Sequence, residues 1–112
     1  MPGINLTFRT AFIATAITLT ACTSFQFGRD FDLTHFKSEI QHGVTTQQQV
    51  QTWLGPPTST GTVVDTDGEH YERWMYYYGA GQLTRMKEAN MKTLEIQFSA
   101  DNVVKSYNWV GE

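Results

Sequence analysis

A chain of 112 residues, 40% apolar and 13% aromatic, has room for one small packed domain and no more. Its eight basic and eleven acidic residues leave a formal charge of -3, which excludes the basic stripe needed to neutralise nucleic-acid phosphates. The lone cysteine rules out an internal disulfide.

Residues 1–21 read as a secretory signal peptide. Arg9 and the amino terminus form a thin positive flank, and Ala11 to Leu19 is an apolar run too short to span a bilayer as a helix. The run ends in Leu19-Thr20-Ala21-Cys22, which is similar to a bacterial lipobox, where small residues precede a cysteine that becomes the acylated first residue of the mature chain. Loss of residues 1–21 takes away Arg9 and brings the charge to -4. Thr23 and Ser24 put no aspartate behind the cysteine, a pattern that resembles sorting to the outer membrane. Residues 22–31 show no period and read as the lipidated cysteine and a tether. Phe25, Phe27 and Phe31 in that stretch suit the lipid interface, a partner or the domain's own edge.

The domain itself is assigned to residues 32–112. Asp32 can cap a helix whose apolar positions, Leu33, Phe36 and Ile40, fall at i, i+3 and i+7, with Gly43 as its stop. Thr46 opens a second helix of about nine residues, with Gln49 at the capping-box spacing and Val50, Trp53 and Leu54 on one face. Gly55 ends it, and Pro56 and Pro57 forbid its continuation. A helix this short is not stable alone and must pack on something.

Beyond Pro57 the period changes from 3.6 to 2. Thr58 to Thr66 reads as a weak strand and Asp67-Gly68 as a two-residue hairpin turn. Glu69 to Tyr78 is a second strand, with Trp74, Tyr76 and Tyr78 on one face and Arg73, Met75 and Tyr77 on the other, which suggests cover on both sides. Gly79 to Lys92 then reads as a long connection carrying Arg85, Lys87 and Lys92, and long connections are functional or mobile. Leu94, Ile96 and Phe98 alternate with Glu95 and Gln97 in a half-buried strand, Ser99 to Asn102 is a turn, and Val103 to Trp109 closes the sheet. The expected fold is α+β: a two-layer sandwich with an αα-hairpin packed on a three- or four-stranded antiparallel sheet.

The ordered run Ile40, Gly43, Thr45, Thr46, Val50, Leu54, Gly55 and Pro57, followed by an aromatic strand and an L-x-I-x-F strand, resembles the SmpA/OmlA (BamE-like) family of outer-membrane lipoproteins. The resemblance covers roughly residues 31–109. It implies a lipid anchor at Cys22 on the periplasmic face of the outer membrane. It also implies a non-catalytic interaction module, which serves either the machinery that inserts β-barrel proteins or an envelope-integrity role.

Chemistry-bearing clusters are few. Asp65, Asp67, Glu69 and His70 crowd one turn, but a calcium loop with Gly68 at its sixth position would need ligands at Val63 and Trp74. His35, His42 and His70 lack metal-ligand spacing, and Gly79-Ala80-Gly81 is not followed by the G-K-[ST] of a phosphate loop. No catalytic set, metal or cofactor is therefore assigned. Arg85, Lys87 and Lys92 are candidates for an acidic partner or anionic lipid. Trp74 and Tyr76 suit either core packing or a recognition surface. An aromatic sheet face is also compatible with a β-lactamase-inhibitor-like protein that blocks an enzyme.

Overall fold

The computed structural model describes residues 24–112. The expected signal peptide and Cys22 lie outside these residues. In chain order the elements are β1 (Ser24–Gly28), α1 (Leu33–Glu39), α2 (Gln47–Leu54), β2 (Ser59–Val64), β3 (His70–Gln82), a 3-10 segment η1 (Leu83–Glu88), β4 (Asn90–Phe98) and β5 (Val104–Val110). The strands form one five-stranded antiparallel sheet in the order β1-β3-β4-β5, with β2 also paired to β3, giving an α+β fold.

The helices begin where side chains can satisfy their first orphan N–H groups. The Asp32 carboxylate accepts from the His35 amide at 2.9 Å, and Thr46 and Gln49 complete a reciprocal capping box. Gly55 caps the end of α2. Between the helices the chain departs from expectation, because α1 stops at Glu39 and Ile40 is already extended. Gly43 therefore does not end the helix. It supplies a left-handed residue, φ +75°, three positions further on.

The reason lies in what the corner joins. Gly43 donates its N–H to the Val104 carbonyl at 2.9 Å, Val104 donates to Thr45 at 2.8 Å, and Gln47 donates to Asn102 at 2.8 Å. These bonds stitch the inter-helix corner to the start of β5. Thr45 is buried, and its hydroxyl accepts from the Gln41 amide at 2.8 Å, so it holds the turn while Thr46 caps the helix.

The core fills the space between the helices and one sheet face. Leu33, Phe36, Val50 and Leu54 meet Trp74, Tyr76, Leu94, Ile96, Phe98 and Val104, with Phe31 at the margin. Tyr76 donates its hydroxyl to the Gly55 carbonyl at 2.8 Å, which ties the end of α2 to β3. Burial pushes that hydroxyl well above the ordinary phenol pKa, so it stays a donor.

Three expectations about the sheet need correction. First, the β2–β3 turn has three residues, Thr66, Asp67 and Gly68, between Asp65 and Glu69. Gly68 at φ +82° donates to the Asp65 carbonyl at 2.8 Å, so the turn is closed by a left-handed glycine. Second, residues 24–28 are not a tether. They form β1, paired from Ser24↔Gln82 to Gly28↔Tyr78. Third, the strand expected to end at Tyr78 continues to Gln82, and β4 begins at Asn90, so the long connection shrinks to η1 and Ala89.

The last two corrections share one cause. On the face away from the helices Phe27 lies across Gly79 and Phe25 against Gly81, with the two rings stacked 6.2 Å apart. A Cβ at Gly79 would overlap the Phe27 ring. The glycines that look like a loop are thus a trough that receives β1's aromatics, and among the described residues both helices cover only the opposite face.

Gly43→Val should lower the stability of the soluble domain by about 1–3 kcal/mol through left-handed backbone strain. Thr46→Ala should cost about 1 kcal/mol as a lost cap. Urea midpoints compare the two, and an equal or inverted ranking would contradict the role given to the corner.

Candidate functional site

The three cations singled out from sequence separate into two groups. Arg85 and Lys87 sit on η1 and are exposed. Arg85 reaches Glu88 only at 3.9 Å with both side chains largely in solvent, a pair worth little. The segment is two short turns broken at Arg85 (φ -138°, ψ 52°), and it leaves Leu83 and Met86 outward, 63% and 52% exposed. Sequence reasoning passed over these two apolar residues, although their i, i+3 spacing was the available signal.

Lys92 belongs elsewhere. On β4 it shares a face with Leu94, Ile96 and Phe98 and stands opposite Tyr78, so its stem runs along the core margin and its side chain is only 14% exposed. The ammonium donates to the Phe31 carbonyl and pairs with Asp30 at 2.6 Å. It also lies 4.9 Å from the Phe31 ring centroid and 5.7 Å from that of Tyr78. The hydrogen bond from Lys92 and its charge hold the Asp30 carboxyl below the usual aspartate range. Lys92 therefore clamps the segment between β1 and α1 and is not available to a partner.

Trp74 and Tyr76 are likewise withdrawn from the surface, 7% and 2% exposed. The Trp74 indole donates to Glu72 at 2.9 Å, and Gln47 of α2 donates to the other Glu72 oxygen at 2.8 Å. Trp74 also meets Phe98 edge to face at 5.0 Å. Both residues serve the core, and their proposed recognition role is corrected accordingly. Of the motif residues, Val50 and Leu54 are buried, Gly55 accepts from Tyr76, and Pro57 is half-buried beside β2.

At the other end of the sheet Asp65, Asp67 and Glu69 surround the hairpin. Asp65 and Asp67 accept from the amides of Thr66 and Glu69, and Tyr71 donates its hydroxyl to Glu69. Lys105 stands over the Tyr71 ring, 3.3 Å from its centroid, and 3.9 Å from Asp65. Among the described residues no group of three or more His, Cys, Asp or Glu side chains is placed to hold a metal. A depression of about 460 Å³ over the β2–β3 hairpin is lined by Thr60, Gly61, Thr62, His70, Tyr71 and Glu72, with no serine or cysteine among them.

Family models, curated proteins and solved structures offer no match to this chain. Among the described residues no helix is long and apolar enough to cross a membrane.

Two substitutions distinguish the groups of cations. Lys92→Ser should cost about 1.5–3 kcal/mol, the scale of a hydrogen bond to a charged group, whereas Arg85→Ser with Lys87→Ser should stay within about 0.5 kcal/mol. Because the folded-state pKa of Asp30 is depressed from 3.8, its contribution is complete above that value and lost as pH falls through the lowered one. Asp30→Asn should therefore flatten the acid limb of the stability curve below about pH 4, as read by urea midpoints across that range.

Proposed function

We propose that this chain is a lipoprotein of the SmpA/OmlA (BamE-like) kind, acylated at Cys22 and held on the periplasmic face of the outer membrane. Its domain would act there as a non-catalytic protein-interaction module. The observation that carries the reading is the order of signals in one short chain: Leu19-Thr20-Ala21-Cys22, then a small α+β domain whose Ile40–Pro57 corner follows the family pattern. Five of the eight motif residues there have a structural task. Thr46 caps, Val50 and Leu54 fill the core, Gly55 receives Tyr76, and Gly43 bonds to β5. The partner class is an envelope protein, either the β-barrel assembly machinery or a complex with an envelope-integrity role. An inhibitor-like use of the Trp74 and Tyr76 face is disfavoured, because the helices occupy that face.

A diacylglycerol on the cysteine with an amide-linked chain supplies the multiple anchors that stable attachment needs. Metabolic labelling with a fatty acid should mark the native chain and leave Cys22→Ala unmarked. Equal labelling of the two would refute the anchor. Affinity capture of the native lipoprotein from solubilised envelopes should then recover an envelope protein partner, and recovery of a periplasmic enzyme instead would favour the inhibitor reading.

A further inference from the structure

The sheet face away from the helices is not built like one that meets water. An antiparallel sheet with a solvated face turns polar residues outward along it, yet here Met75 and Tyr77 point outward from the middle of β3. Phe27, Met91 and Val110 join them from β1, β4 and β5, 41%, 50% and 70% exposed. Two opposite charges on the same face also lack partners. Arg73 lies between Gly61 of β2 and Gln97 of β4, and Glu95 stands on β4 opposite Met75, one row further along. The Arg73 guanidinium is turned toward β2, where a Cβ at Gly61 would lie 3.3 Å from its Nη2, so it points away from Glu95. Its Nε is buried with no hydrogen-bond partner, and neither Arg73 nor Glu95 is in a salt bridge among the described residues. Glu95 accepts only a long hydrogen bond from Gln97, at 3.5 Å. Toward the hairpin, Lys105 is engaged by Asp65 and the Tyr71 ring, and Glu69 by the Tyr71 hydroxyl. Arg85, Lys87, Glu88 and Glu112 lie beyond the strand ends.

We infer that this face packs on the same face of a second copy of the chain, sheet against sheet, about a twofold axis that lies between them. An isologous interface requires a patch that complements itself. Arg73 and Glu95 meet that requirement: an in-plane twofold midway between them sets Arg73 of each copy against Glu95 of the other. The two symmetric ion pairs then flank Met75 and its counterpart, with Tyr77 beside them, so an apolar centre is closed by charges that have no partner within the single chain. An unrelated partner would have to present an acid and a base at the same separation, which a second copy does by construction. Both copies carry a net negative charge, and the two local pairs offset a general repulsion that salt screens.

The test uses the full chain, purified in mild detergent in two versions with different carboxy-terminal tags, so that capture through one tag reads association with the other. The parent should capture itself and sediment as a dimer. Arg73→Glu alone and Glu95→Arg alone each oppose like charges across the twofold, and each should lose self-capture by at least about tenfold. Mixing these two single variants restores both ion pairs, so capture should return, which also shows that both are folded. The double variant Arg73→Glu with Glu95→Arg should capture itself but not the parent. Single variants that self-associate like the parent, or folded ones whose mixture gives no recovery, would overturn the proposed pairing. A parent chain that stays monomeric in sedimentation overturns it without recourse to any variant.

Discussion

The structure depends on β3 being long enough to do two jobs along one edge. Its first half, His70 to Met75, pairs with β2, and its last five residues, Tyr78 to Gln82, pair with β1. β4 runs the length of the other edge, from Glu72 to Ala80. Thr58 spans the join, donating its N–H to the Met75 carbonyl at 2.9 Å while its hydroxyl accepts from the Tyr77 amide at 3.2 Å. An edge that would otherwise present free N–H and C=O groups is thereby occupied by two short strands set end to end.

This arrangement also explains the helix layer. Tyr76 sits at the middle of β3 and bonds to Gly55, while Trp74 reaches Glu72 and through it Gln47. Both bonds run from β3 to α2, and the stitches from Gly43, Thr45 and Gln47 fix the corner to β5. The helices are short, and their stability comes from this docking and from the buried stripe Leu33, Phe36, Val50 and Leu54 more than from intrinsic propensity.

What was legible in the sequence divides along physical lines. α2 was readable almost to the residue, because caps, period and stop are local signals that Thr46, Gln49, Val50, Leu54 and Gly55 carry themselves. The α+β class and the order of β2, β3, β4 and β5 followed from alternation. β1 was not readable, since Phe25 and Phe27 give only two alternating apolar positions, and their partners Gly79 and Gly81 have no side chain to reveal a face. Each half of that pair looks like a loop until the other is in place. Lys92 misled for a similar reason: a charge in sequence suggests solvent, yet its stem lies on the inner face of β4 and its charge is neutralised by Asp30, 62 positions earlier. Trp74 and Tyr76 admitted two roles, and only the placement of the helices decides for the core.

The antiparallel register of β1 has a mechanical meaning. A pull applied at Ser24 along the strand axis, resisted by the rest of the sheet, loads the five positions from Ser24↔Gln82 to Gly28↔Tyr78 together, in shear, rather than opening them one after another. The aromatic rings of Phe25 and Phe27 seated over Gly81 and Gly79 add steric resistance to sliding along that direction. The first strand is thus built to transmit tension from its amino-terminal end into the body of the domain without peeling away.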